Sequence, residues 1–225
     1  MIANLLTHLL RRLPMPLQRT LRNRYVTIKG PLVRERRVAQ WRREGSLLPP
    51  PQAFKETVID THGKTSGYTT FIETGTYLGD MVDAQRSVFK RIISIELGET
   101  LWQQATTRFK NQQHITILRG NSSDVLNSLV QTLTEPAIFW LDAHYSQGIT
   151  ARGNKECPIL EELDAIFTGP PLPHILLIDD ARCFTGHDDY PTIDTLTRYV
   201  QDKNSDYVME VKDDIIRFVP VTTLP

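Results

Sequence analysis

Five short apolar runs recur between residues 70 and 180, and their regular alternation with helical segments constrains this chain more than any other feature. The runs are Thr70–Glu73, Arg91–Leu97, Ile115–Gly120, Ala137–His144 and His174–Asp180. Each is followed by a stretch with apolar residues at helical spacing: Asp80–Phe89, Glu99–Phe109, Ser122–Leu133, Pro158–Phe167 and Thr192–Val200. In Pro158–Phe167 the stripe is plain, with Ile159, Leu160, Leu163, Ile166 and Phe167 on one side. Parallel strands need such crossovers, so the pattern predicts an α/β domain whose mostly parallel sheet is covered on both faces. Tyr207–Lys212 and Ile215–Pro220, joined across Asp213-Asp214, read as a C-terminal antiparallel hairpin. Ligands of such sheets lie beyond the carboxyl ends of the strands, where the order reverses. The residues that end each strand are therefore the ones that carry chemistry.

The segment before this domain has a different character. Residues 1–50 hold 11 Lys and Arg against two acids, Glu35 and Glu44, which leaves 15 bases and 24 acids in the rest. The break is Leu47-Leu48-Pro49-Pro50-Pro51, where three prolines forbid helix and favour an extended linker. Upstream, Ile2, Leu5, Leu6, Leu9, Leu10 and Leu13 share a helical face, Leu17–Tyr25 starts after Pro16, and Arg34–Glu44 carries Val38 and Trp41 on one side. The expected organisation is a basic helical extension over 1–50 and a catalytic domain over 51–225. Residues 1–46 are expected to dock on the acidic domain, on a second copy of the chain (a homo-oligomer) or on an anionic membrane surface. No aromatic residues alternate with the arginines as in a single-strand binder, which counts against nucleic acid. No run reaches the roughly 18 apolar residues of a membrane span, and the start lacks the order of a secretory signal. Two cysteines, Cys157 and Cys183, make no disulfide framework. A cytoplasmic location is the expectation.

The first strand runs into Glu73-Thr-Gly75-Thr76-Tyr77-Leu-Gly79. Gly75 allows a tight turn and Gly79 lets the next helix begin close to the sheet. This differs from the Gly-x-Gly-x-x-Gly of dinucleotide sites, where bare glycines face a pyrophosphate. An acid at the mouth would repel phosphate and favour an ammonium or sulfonium charge. The second strand ends at Glu96, 21 residues after Gly75, where a carboxylate can accept both hydroxyls of a ribose. The third ends Gly120-Asn121-Ser122-Ser123-Asp124, a polar cluster suited to an adenine edge.

Glu73-x-Gly75-x-x-x-Gly79, Glu96 and the Gly120-Asn121-Ser122 turn, in this order, resemble the cofactor-binding strand ends of class I S-adenosylmethionine-dependent methyltransferases over roughly residues 55–220. The resemblance implies a Rossmann-like, seven-stranded sheet with a C-terminal hairpin. It also implies S-adenosylmethionine as cofactor, held by Glu73, Gly75, Thr76, Tyr77, Gly79, Glu96, Asn121 and Ser122. The third strand often ends in an aspartate in that family, and Asn121 stands here, so the adenine contact falls to one or another of Asn121, Ser122 and Asp124.

A second constellation closes the fourth and fifth strands: Asp142-Ala-His144 and Asp179-Asp180-Ala-Arg182. Alternation along a strand puts Asp142 and His144 on one face, whereas Asp179 and Asp180 diverge unless the strand breaks there. Converging carboxylates repel unless protonated or bridged by a cation, so Asp142, Asp179 and Asp180 are expected to bind Mg2+ or another divalent ion. The layout is remotely similar to that of macrocin-type metal-dependent O-methyltransferases, which implies methylation of a hydroxyl on a small molecule such as a sugar or natural product. A divalent ion would lower the hydroxyl's pKa, and His144 or Asp142 would take its proton. The plainer alternative pairs Asp179 with Arg182 in a purely structural role. Ser146–Glu156 is expected to form a loop over the substrate. Competing functions are another adenosyl-ligand enzyme of the same fold, or a non-catalytic nucleotide-binding module tethered by the basic extension.

Overall fold

The computed structural model describes residues 32–142 and 157–223. The chain divides into two compact units, residues 1–47 and 48–225. In the first, a helix over 32–43 ends at Gly45, whose φ of 91° turns the chain, and the Trp41 indole N–H donates to the Leu47 carbonyl at 2.7 Å.

The second unit is a seven-stranded sheet: β1 Thr70–Thr74, β2 Arg91–Glu96, β3 Ile115–Arg119, β4 Ala137–Leu141, β5 Ile175–Ile178, β6 Tyr207–Lys212 and β7 Ile215–Pro220, in the order β3-β2-β1-β4-β5-β7-β6. The first five are parallel, and β7 inserts antiparallel between β5 and β6. The order reverses at β1, between β2 and β4, which opens the crevice expected of such sheets beyond Thr74. β1, β4 and β5 are buried along their whole length, as continuous apolar strands with both faces covered must be.

The helices are α1 Gln52–Ser66, α2 Asp80–Gln85, α3 Glu99–Phe109, α4 Ser122–Val130, α5 Ile159–Phe167 and α6 Ile193–Lys203. One core layer joins Ile72, Ile95, Phe139, Leu141 and Ile178 of the sheet to Leu126, Leu129, Ile159, Leu163, Leu196 and Val200 of α4–α6. The alternate strand residues point to the opposite face. There Phe71 stacks on Phe89 with ring centroids 5.3 Å apart, and α1 packs against α2 and β4.

Helix α1 was not expected from the sequence. It starts directly after Pro51, whose extended conformation suits the entry, and stops at Gly67, whose φ of 72° ends it with an N–H bonded to the Gly63 carbonyl. Its buried set, Ala53, Phe54, Glu56, Val58, Ile59 and Gly63, mixes an acid and a glycine with the apolar residues, which blurs the period. Gly63 is there for space: a Cβ would stand 2.8 Å from the Phe89 ring.

Other boundaries shift. The expected strand Ala137–His144 ends at Leu141, and His174–Asp180 shortens to Ile175–Ile178. Asp142, Asp179 and Asp180 thus lie past the strands. His144 itself lies outside the described residues. The hairpin has the expected bounds.

Candidate functional site

The turn after β1 is pinned to β2 by its own backbone. Gly75 N–H and Thr76 N–H both donate to the Ile95 carbonyl, at 2.9 and 3.2 Å. Gly75, Tyr77 and Gly79 all have positive φ, of 86°, 48° and 75°. Gly79 is required twice over, because a Cβ would also meet the Phe109 ring of α3 at 2.8 Å. Tyr77, held in the left-handed region despite its bulk, donates its N–H to Glu96 Oε2 at 2.8 Å.

Glu73 does not stand at the mouth of the crevice. It is buried beneath the turn, accepts the Ser94 hydroxyl at 2.5 Å, and Ser94 in turn meets the Thr76 hydroxyl at 2.6 Å. Burial pushes its carboxyl well above the usual range, against the pull of Ser94. The expectation of a charged gatekeeper at Glu73 is therefore corrected. Side-chain direction decided the matter, and Glu73 supports the turn through Ser94 and Thr76.

Glu96 holds the neighbouring position. One oxygen accepts Tyr77 N–H and the other accepts Gly98 N–H, each at 2.8 Å. Each carboxylate oxygen keeps a second acceptor direction, so the fixed carboxylate can also receive a vicinal diol. Beyond β3, Gly120 N–H donates to the Glu96 carbonyl at 3.0 Å. Asn121 caps α4, its Oδ1 accepting the Ser123 N–H at 3.0 Å and the Ser123 hydroxyl at 2.6 Å.

Sequence reasoning missed Glu162. It is almost wholly buried on α5 and accepts hydrogen bonds from the Ser122 and Thr74 hydroxyls. Thr74 Oγ1 also accepts the Asp142 N–H at 3.2 Å, so one carboxyl ties together the ends of β1 and β4 and the start of α4. Its Oε1 has no hydrogen-bond partner among the described residues. Burial raises its pKa to about 7. A signal was available: Ile159, Glu162, Leu163 and Ile166 fall at i, i+3, i+4 and i+7, so this acid sits on the buried stripe.

At the other end of the crevice Asp179 and Asp180 come together on a lysine, and the charge of Asp142 acts on it. Lys55 Nζ of α1 lies 2.5 Å from Asp179 Oδ2 and 3.4 Å from Asp180 Oδ1. Asp179 Oδ1 accepts the Asp180 N–H at 2.8 Å. Asp180 breaks away from the strand with φ 56°, and its Oδ1 also receives Arg182 Nη1 at 2.8 Å. Arg182 Nη1 further donates to Asp214 Oδ2 from the hairpin turn, while Arg182 N–H donates to Asp214 Oδ1 at 2.8 Å. Burial lowers the proton affinity of Lys55, but the charges of Asp179, Asp180 and Asp142 outweigh it and leave its pKa raised. Burial and the Asp142 charge lift Asp179 to about 7 against the opposing pull of Lys55.

These contacts test the expected metal site. The carboxylate oxygens of Asp179, and Oδ1 of Asp180, already face an ammonium, a guanidinium and a backbone N–H. Among the described residues no group of three His, Cys, Asp or Glu is arranged to hold a metal ion. As arranged here, the Asp179–Asp180 pair does not fit a divalent cation. Arg182 pairs with Asp180 and Asp214, not with Asp179. Nothing in the sequence pointed to Lys55, which lies 124 residues from Asp179 on a helix that periodicity did not reveal.

Among the described residues no helix is long and apolar enough to cross a membrane. A search by sequence finds no matching protein family and no matching characterised protein. Solved structures do match. The O-methyltransferase TomG of Streptomyces achromogenes, involved in tomaymycin synthesis and solved with S-adenosylmethionine, superposes with a TM-score of 0.55 at 17% identity, over 81% of this chain and 86% of that one. A putative caffeoyl-CoA O-methyltransferase from Staphylococcus aureus gives 0.54 at 14%, over 89% and 99%. The O-methyltransferase from Bacillus cereus, bound to S-adenosylhomocysteine, gives 0.54 at 12%, over 88% and 96%. Together with the strand order and the antiparallel β7, these likenesses establish that the chain has the fold of class I S-adenosylmethionine-dependent methyltransferases.

Proposed function

We propose that this chain transfers the methyl group of S-adenosylmethionine to a hydroxyl of a small molecule, such as a sugar or a natural-product scaffold. The observation that carries the reading is the anchored pair at the reversal point. A left-handed turn over Gly75–Gly79 and a carboxylate, Glu96, are locked to each other through Tyr77 N–H. Such a pair suits an adenosyl ligand: Glu96 receives the ribose hydroxyls, the turn lies along the amino-acid portion, and the 120–122 segment, with Ser122, borders the adenine. Structural neighbours described as O-methyltransferases support the acceptor atom.

In the transfer the acceptor oxygen attacks the methyl carbon as the carbon–sulfur bond breaks, leaving neutral S-adenosylhomocysteine. The hydroxyl proton passes to a carboxylate or imidazole at the end of β4, for which Asp142 and His144 are the candidates. In-line alignment supplies much of the rate, and the paired strand ends are the device that provides it. The basic segment over 1–46 serves in this reading as a docking element, on the acidic part of the chain, a second copy or an anionic membrane surface, with the enzyme working in the cytoplasm.

Calorimetric titration with S-adenosylmethionine and S-adenosylhomocysteine tests the reading. Binding of both, weakened at least about tenfold by Glu96→Ala, is the expected result, since a charge-assisted hydrogen bond contributes about 1.5–3 kcal/mol. Absence of binding by the parent chain would overturn the cofactor and the function with it.

A further inference from the structure

We infer that the Lys55 ammonium takes the position a divalent ion would hold between Asp142, Asp179 and Asp180, so that the acceptor side of the crevice is built to work without metal. The inference rests on the methyltransferase reading for its chemistry, and on the ion pairs alone for its geometry.

The Lys55 side chain is 12% exposed and Asp179 is 2% exposed, so this is an enclosed pair and not a surface contact that comes and goes. Lys55 reaches both Asp179 and Asp180, and Asp142 acts on it through charge. Two of the three carboxylates that suggested an ion thus hold one ammonium, and the third acts on it through charge. A divalent ion recruits oxygens with open lone pairs. Here Lys55 and Arg182 lie on the Asp180 Oδ1 that such an ion would need, and Asp179 Oδ1 accepts the neighbouring Asp180 N–H. A metal could enter only by displacing the Lys55 ammonium from Asp179 and Asp180.

An ammonium carries three N–H donors, and the two aspartates account for two directions. The third is suited to the acceptor oxygen as negative charge gathers on it during attack. Lys55 keeps its proton throughout and forms no covalent bond. The methyl carbon passes from sulfur to the acceptor oxygen, and the hydroxyl proton leaves to the base at the end of β4. The position of Lys55 fits this role, because α1 begins immediately after the proline linker and carries Lys55 in its first turn over the ends of β4 and β5.

Manganese binding reads this directly, without a known acceptor. Titrations of Mn2+ followed by paramagnetic broadening would compare the full-length parent with Lys55→Met, which keeps the apolar stem, and with Lys55→Gln as a second variant should the first fail to fold. Circular dichroism and S-adenosylhomocysteine affinity check that the crevice is intact. The expected result is at least tenfold tighter Mn2+ binding in the lysine variants than in the parent, and loss of that gain when Asp179→Asn is added. Equal Mn2+ affinity in parent and variants, binding that survives Asp179→Asn, or no gain in either variant would each overturn the substitution of lysine for metal. So would tight Mn2+ binding by the parent at the aspartates. Failure of the cofactor reading would show separately, as loss of S-adenosylhomocysteine binding by the parent.

Discussion

The two halves of the crevice are held together by different means. The proposed cofactor half, at the ends of β1, β2 and β3, is fixed by backbone: N–H groups of residues 75, 76, 77 and 98 donate to Ile95 and Glu96, and glycines stand where a Cβ would collide. The proposed acceptor half, at the ends of β4 and β5, is fixed by charged side chains from three distant places: Lys55 on α1, Arg182 after β5 and Asp214 in the hairpin turn. The Gly75–Ile95 and Tyr77–Glu96 contacts join residues 20 and 19 positions apart at the ends of adjacent strands. The first half is thus set by the sheet itself, the second by side chains that meet only after the whole domain has folded.

Breaking an ion pair should show the largest effect. Asp179→Ala strands a nearly buried ammonium and is expected to lower stability by about 3–5 kcal/mol, whereas the double variant Lys55→Met with Asp179→Leu should recover most of it. Urea denaturation of the single and double variants measures the difference. Equal losses in both would mean that packing, not charge, holds the acceptor half.

Glu162, which joins the two halves, should make stability depend on pH. Its folded pKa of about 7 lies above its ordinary 4.5, so the folded protein retains a proton that the unfolded chain releases. The associated stability is fully present below about 4.5 and is lost as pH rises through about 7, a change on the order of 3 kcal/mol. Asp179, also raised to about 7, titrates in the same window. Glu162→Gln should therefore flatten the profile between pH 5 and 8 without abolishing its slope. An unchanged slope in chemical denaturation at those two pH values would show that Glu162 is ionised throughout.

On the cofactor half, Glu96→Ala should do two things at once. Besides weakening S-adenosylmethionine, it leaves Tyr77 N–H and Gly98 N–H without their acceptor, and a loss of about 1–3 kcal/mol in stability is expected. Thermal melts alongside calorimetry separate the two. Loss of affinity with full stability would mean that water satisfies the turn equally well.

The smallest effect sharpens the boundary of the cofactor half. Asn121→Ala removes the cap of α4 and should cost about 1 kcal/mol, with S-adenosylhomocysteine affinity changed by less than about threefold. A larger loss of affinity would return the adenine contact to the Asn121 side chain.

The sequence was most legible where the determinants are local. The glycine turn, the hairpin across Asp213-Asp214 and the stripe of α5 follow from residue spacing within ten or so positions. It was least legible where neighbours in space are far apart in the chain. Glu73 reads as a mouth residue until Ser94 and Thr76 are seen above it, and α1 hides because Glu56 and Gly63 interrupt its apolar face. The aspartate pair after β5 announced a clustering of charge, but not which cation would answer it.

By itself, then, the sequence determined the alternation of strands and helices, the antiparallel end of the sheet and the strand ends that carry the site, because pleat, helical period and glycine conformation act over a few residues. Only the tertiary structure decided that Glu73 turns inward, that Glu162 bridges β1, β4 and α4, and that Lys55 stands among the aspartates. Those outcomes depend on burial and on Coulomb forces between groups up to 125 residues apart, which no local pattern encodes.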